Sequence, residues 1–129
     1  MKANIFACLI VGSRSFNCYE LFESEVDFLL QNIKEKIIIV SGEASGTDTL
    51  AKQYAENKGY EYQGFPAQWD LYGPSAGYKR NEQMHQYISM YERRGCIAFW
   101  DGKSRCTQHS FELAKKYNNP IKVIHVSGE

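Results

Sequence analysis

Four short segments hold the residues whose types could do chemistry: Gly12-Ser13-Arg14-Ser15, Ser41-Gly42-Glu43-Ala44-Ser45-Gly46-Thr47-Asp48, Pro66-Ala67-Gln68-Trp69-Asp70-Leu71-Tyr72-Gly73, and Asp101-Gly102-Lys103-Ser104-Arg105-Cys106-Thr107. The chemistry they suit is anion binding. Glycine lets a backbone approach a ligand closely, and the start of a helix presents unpaired N–H groups with a favourable dipole. Ser45, Gly46, Thr47 and Asp48 open one helical pattern, and Ser104 and Thr107 flank the start of another. Arg14 and Arg80 each offer a planar, charged contact to a phosphate. Trp69 and Tyr72 have flat faces on which a base can stack, although packing is the leading reading for Trp69 and more so for Trp100, which ends an apolar run. One such segment alone is an ordinary turn. Four of them, each directly after an apolar run, are more than turns require.

Other chemistries find no support in the spacing. Gly102-Lys103-Ser104 resembles the end of a Walker A loop, but that loop needs glycine at position 97, which is Ile97. No G-x-G-x-x-G is present, so an ordinary dinucleotide fingerprint is absent. Cys106 and His109 are three residues apart without a second ligand pair, which leaves a zinc site unsupported. His85 and His125 stand alone, with solvated or satisfied imidazoles as the default, and no Ser-His-Asp set is assignable. The expectation is no metal and no cofactor.

The elements that must position these segments follow from periodicity. Ile5–Val11 is a continuous apolar run, as in a strand buried on both faces. Glu20–Ile33 has helical spacing, Ile37–Val40 is a second buried strand, and Thr49–Asn57 is a helix preceded by the cap-like Asp48. Glu61–Phe65 reads as an outer strand and Pro66–Gly77 as a long loop. Tyr78–Tyr91 reads as helix, Cys96–Trp100 as strand, Thr107–Tyr117 as helix and Ile121–Val126 as a last strand. Five strands alternating with four crossovers predict a single α/β domain spanning residues 1–129, a Rossmann-like three-layer fold with a five-stranded parallel sheet. The preferred order is 3-2-1-4-5, and a flavodoxin-like 2-1-3-4-5 is the competitor. In either sheet the four segments share the carboxyl edge. With the first order the ligand crevice falls between Ser13-Arg14 and Gly102–Thr107.

Composition bounds the partners. The chain has 129 residues, fifteen Lys plus Arg against fifteen Asp plus Glu, so no polyanion-coating surface and no broad nucleic-acid binding are expected. Apolar residues make up 43% and charged residues 23%, the globular range. The apolar run near the amino terminus is too short to span a membrane, and no cleavage site follows it. Cys8, Cys18, Cys96 and Cys106 contain no C-x-x-C pair and read as free thiols in a reducing, cytoplasmic compartment.

Gly12-Ser13-Arg14-x-Phe16, VSGEASGTDTLA at Val40–Ala51, FPAQWDLYGPSAGYKRNEQM at Phe65–Met84 and AFWDGKSRCT at Ala98–Thr107 together resemble the SLOG superfamily, and most of all its small YspA-like branch. Relatives in that superfamily include the LONELY GUY phosphoribohydrolases, molybdenum-cofactor carriers and DprA. The resemblance implies a Rossmann-like sheet that binds nucleotides or nucleotide-derived signals. It also draws Asn81 into the candidate site beside Arg80, because Arg80-Asn81-Glu82-Gln83-Met84 is similar to the R-K-x-x-M segment of the phosphoribohydrolases. Departures bear on catalysis. Ser110 stands where those enzymes carry their catalytic Glu, and a serine offers no carboxylate. Cys106 replaces a usual Gly, Glu43 another Gly, and Ser45 an Arg.

The first functional expectation is a binding protein, sensing or sequestering a nucleotide or ADP-ribose-like molecule. Its phosphate would lie against Gly12–Arg14 and Gly102–Thr107, its base near Trp69 and Tyr72, and its ribose near Glu43. The alternative from a second class is a nucleoside-phosphate N-glycosidase in which Glu43 replaces the missing acid. A third is an interaction module, forming a homodimer or higher homo-oligomer through aromatic-rich helices.

Overall fold

The structure is a computed structural model describing residues 4–127. Along the chain run β1 (Ile5–Gly12), α1 (Tyr19–Leu30), β2 (Lys36–Ser41), α2 (Thr47–Lys58), β3 (Glu61–Gly64), α3 (Trp69–Tyr72), a 3-10 turn (Gly73–Ser75), α4 (Ala76–Ile88), β4 (Arg93–Trp100), α5 (Arg105–Lys116) and β5 (Ile121–His125). The five strands form one sheet in the order β3-β2-β1-β4-β5, with every neighbouring pair parallel. The order 3-2-1-4-5 is therefore the observed one.

The central strand reads as unbroken apolar sequence because both its faces are covered. Cys8 and Ile10 point into one core with Phe22, Val26 and Leu30 of α1 and Leu50 and Tyr54 of α2. Ala7, Leu9 and Val11 point into the other, with Met84 and Ile88 of α4. Two helices per face complete three layers. On the α1 face an aromatic stack anchors the β1–α1 loop to β4: Phe99 lies 5.2 Å from Phe16 and 4.9 Å from Phe22, ring centre to ring centre.

Several boundaries shift, and three of the shifts have a clear local reason. The segment expected to be a loop winds into α3 and the 3-10 turn: Gln68 C=O accepts N–H bonds from both Leu71 and Tyr72, and Ser75 Oγ donates to Tyr72 C=O. α4 consequently begins at Ala76 rather than Tyr78. β4 starts at Arg93 rather than Cys96, since Phe6 is paired with Arg93 although the arginine side chain faces out toward Glu35. α1 stops at Leu30, where Ile33 N–H closes a tighter turn onto the Leu30 carbonyl.

Candidate functional site

Ser13 ties three loops together at the carboxyl edge. Its carbonyl accepts from Thr47 N–H at 3.2 Å and from Thr47 Oγ1 at 2.9 Å, its own N–H donates to Phe99 C=O, and its Oγ accepts from Asp101 N–H at 3.0 Å. The β1, β2 and β4 loops are thus fastened through one small residue, by its backbone toward β2 and by its hydroxyl toward the β4 loop. Gly46 makes the β2–α2 join possible. Its φ is +74°, and a Cβ there would sit 2.2 Å from Arg14 O. Asp101 shapes the last loop by accepting N–H bonds from Lys103 (2.8 Å) and Ser104 (3.0 Å), and these donors hold its carboxyl below the usual range. Ser104 then caps α5, its Oγ accepting from Thr107 N–H.

Between these loops lies a cavity in two parts. The inner part, about 30 Å³, is lined by Gly12, Arg14, Asp48, Arg80, Asn81, Ser104 and Thr107, with Ala44, Met84 and Cys106 completing its wall. The outer part, about 350 Å³, is lined by Arg14, Gly42, Glu43, Ser45, Arg80 and Trp69, with Pro66 and Ala67 at its rim. The two arginines belong to both.

Arg80 is the most informative residue of the set. Only 5% of it is exposed, and its Nη1 donates to Gly42 C=O at 2.6 Å while its Nε donates to Asn81 Oδ1 at 3.0 Å. Among the described residues no carboxylate forms an ion pair with it. Gly42 is required for this seating, because a Cβ there would be 2.6 Å from Arg80 Nη1. A buried guanidinium held by neutral acceptors at the wall of a cavity keeps its charge available and can receive an anion.

The acids around it differ in state. Burial pushes the Asp48 carboxyl up to about 6, with the Ala44 N–H bond at 3.1 Å and the nearby Arg80 charge pulling the other way. Glu43 has a φ of +62° and accepts from Tyr62 O–H, whose own acidity is reduced by burial and by that carboxylate. Trp69 stands half-exposed at the mouth, with the Arg14 guanidinium 6.0 Å from its ring centre.

The remaining candidates lie apart from the cavity or beneath it. Phe16 is in the core. Ser41 is buried and its hydroxyl meets Tyr62 O–H at 2.8 Å. Ser13, Gly46 and Thr47 sit under the site and hold its loops, as Asp101 and Gly102 do for α5. Tyr72 does not line the cavity; its ring faces Lys79 Nζ at 5.0 Å. Trp100 packs edge-on against Phe111 and donates to Ser104 C=O, as a packing residue should. Sequence reasoning assigned Cys106 only a crowding role and passed over Ala44, Met84, Pro66 and Ala67, whose small or apolar side chains carry no chemical signal. His85, read as isolated, is fully buried between α4 and the β5 approach, with Nδ1 3.0 Å from Asn119 Nδ2.

Among the described residues no three His, Cys, Asp or Glu side chains gather as a metal site, and no helix is long and apolar enough to cross a membrane. No curated protein matches the chain. The family model described as YspA, cpYpsA-related SLOG family matches residues 7–72, more than half of the chain and the stretch from β1 through α3. On that match, with the sheet order and loop architecture above, the chain belongs to the YspA, cpYpsA-related SLOG family.

Proposed function

We propose that the protein binds a nucleotide or an ADP-ribose-like derivative at the carboxyl edge of its sheet, as a sensor or sequestering protein. The observation that carries this reading is Arg80, a guanidinium 95% buried (5% exposed) and without an ion-paired carboxylate, at the wall of a cavity whose mouth holds a second arginine. Membership of a SLOG family is consistent with nucleotide-related ligands. An inner space of about 30 Å³ holds two or so water-sized oxygens, which suits the end of one phosphate. The outer space suits a nucleoside, with Trp69 offering a face to the base and Glu43 an acceptor to ribose hydroxyls. Four free thiols support a reducing, cytoplasmic setting.

Titration calorimetry with AMP, ADP, ADP-ribose and their relatives tests the reading. One of them binds and is recovered unchanged, and Arg80→Ala lowers its affinity by about 2 kcal/mol, the worth of a charge-assisted hydrogen bond. Folded protein that binds none of the panel overturns it.

A hydrolytic second reading is favoured by one observation: Asp48, with its raised carboxyl, lines the inner cavity beside Arg80. A group poised near neutrality can donate or accept a proton where a glycosidic bond breaks. Asp48 is a better candidate for this than Glu43, which is engaged by Tyr62. Free base released from a nucleoside monophosphate and lost in Asp48→Asn, followed by chromatography, identifies this activity; intact substrate after prolonged incubation removes it.

A further inference from the structure

The wall of the inner cavity contains a thiol, Cys106, at the second residue of α5 and only partly buried. Gly77 of α4 marks where it points. A Cβ built on that glycine would lie 3.2 Å from Cys106 Sγ, 3.6 Å from Arg80 Nη2 and 3.6 Å from the Trp69 ring. Thiol, guanidinium and indole therefore converge on one point of bare backbone. Arg80 uses Nε and Nη1 for protein acceptors, while its Nη2 has none among the described residues and shares the cavity with the thiol. An anionic reagent entering past Arg14 meets this unspent donor and the positive end of α5 beside the sulfur.

We propose that Cys106 is a modification site, which takes up a small anionic disulfide and thereby closes the cavity to its ligand. The proposal rests on the binding reading for its consequence, but not for the site itself. In its thiolate form Cys106 attacks one sulfur of the disulfide. The old S–S bond breaks as the new one forms, and the departing half leaves as a thiolate that takes up the proton Cys106 released. A free thiol reverses the exchange. The attached group then projects from the wall that Cys106 shares with Arg80 and blocks the cavity a ligand needs. The other thiols divide cleanly: Cys8 and Cys96 are buried, burial pushing the Cys8 thiol up to about 12, and Cys18 is exposed outside the cavity.

The test uses full-length protein carrying Cys18→Ser, treated with oxidised glutathione or with cationic cystamine. Peptide mass mapping is expected to find one mixed disulfide, at Cys106, formed about tenfold faster with the anionic reagent, and Arg14→Ala narrows that preference. The glutathione adduct keeps its circular dichroism, loses nucleotide binding by calorimetry, and regains it with dithiothreitol. Whatever affinity the Cys18→Ser/Cys106→Ser protein has for nucleotide, that affinity is the same with and without the disulfide reagent. A Cys106 that stays unmodified in folded protein, reacts without regard to reagent charge, unfolds the protein on modification, or leaves binding unchanged overturns the proposal. Reduced protein that binds no nucleotide overturns the binding reading instead, and the charge preference of the thiol then decides the site alone.

Discussion

Asp48 and His85 are both buried and both hold shifted protons, yet their effects on stability run in opposite directions. Burial favours the neutral carboxyl of Asp48 up to about pH 6, so below its unfolded value the folded state bears no penalty. As pH rises from about 4 to 6, the buried charge costs on the order of 3 kcal/mol. His85 is neutral in the fold down to about pH 4, mainly through burial and then through the neighbouring His109 charge. The unfolded chain protonates that imidazole from about pH 6.5 downward, so a similar stability, on the order of 3 kcal/mol, is lost as pH falls through this window. Its neutral tautomer follows from a chain of contacts: Asn119 Oδ1 is taken by Arg94 Nε at 2.6 Å, so the amide nitrogen must donate to His85 Nδ1. Between pH 4 and 6 the two residues offset each other. Asp48→Asn is therefore expected to expose a steep loss of the urea midpoint from pH 7 to 4.5, and His85→Gln to reduce the wild-type loss or reverse it. A pH profile unchanged in both variants contradicts the assignment. Glu35, Glu82 and Asp101, whose carboxyls are held low, unlike that of Asp48, contribute equally to all three proteins and cancel in the comparison.

At the scale of elements, the site depends on how two helices begin. α5 starts on a side-chain cap, and Ser104→Ala removes it at a cost of about 1 kcal/mol. α2 starts on Gly46, which has no side chain to cap with and instead admits the Arg14 backbone. Gly46→Ala combines a left-handed alanine with a collision against a carbonyl that cannot swing aside, and it is expected to cost about 3 kcal/mol in urea melts. The two variants also separate in binding. Ser104→Ala leaves Arg14 in place, while Gly46→Ala displaces the Arg14 loop and weakens nucleotide binding beyond its effect on stability. Equal destabilisation by the two substitutions contradicts this view of the loop. The same contrast explains what sequence reasoning captured. Ser104 and Thr107 announce a cap by residue type, whereas α3 did not announce itself: Trp69, Asp70, Leu71 and Tyr72 are all exposed, so no buried stripe marks the turn.

Across the whole molecule, the fold was legible because each β1 neighbour alternates between two covered faces, and that pattern survives in residue order. The crevice was legible for the same reason, since a parallel sheet brings every post-strand loop to one edge. What did not show in the sequence was depth. Arg14 and Arg80 are the same residue type, yet one stands at the mouth against Trp69 and the other is walled in by Gly42, Asn81 and Gly77, a difference made by contacts between segments 38 residues apart. That depth sets the last expectation. A ligand gripped by the folded cavity and absent from the unfolded chain stabilises by mass action, about 2.7 kcal/mol at a hundredfold excess over Kd. For a chain of this length, unfolding as one unit, that is a rise of about 10 °C in Tm. Arg80→Ala removes the buried donor, so at the same ligand concentration its shift falls to a few degrees or less, while Tyr72→Ala keeps nearly the full shift because that ring faces Lys79. Differential scanning calorimetry with and without the ligand found by titration makes the comparison. A full shift retained in Arg80→Ala, or one lost in Tyr72→Ala, would move the binding site away from the sheet edge and out along the α3 surface.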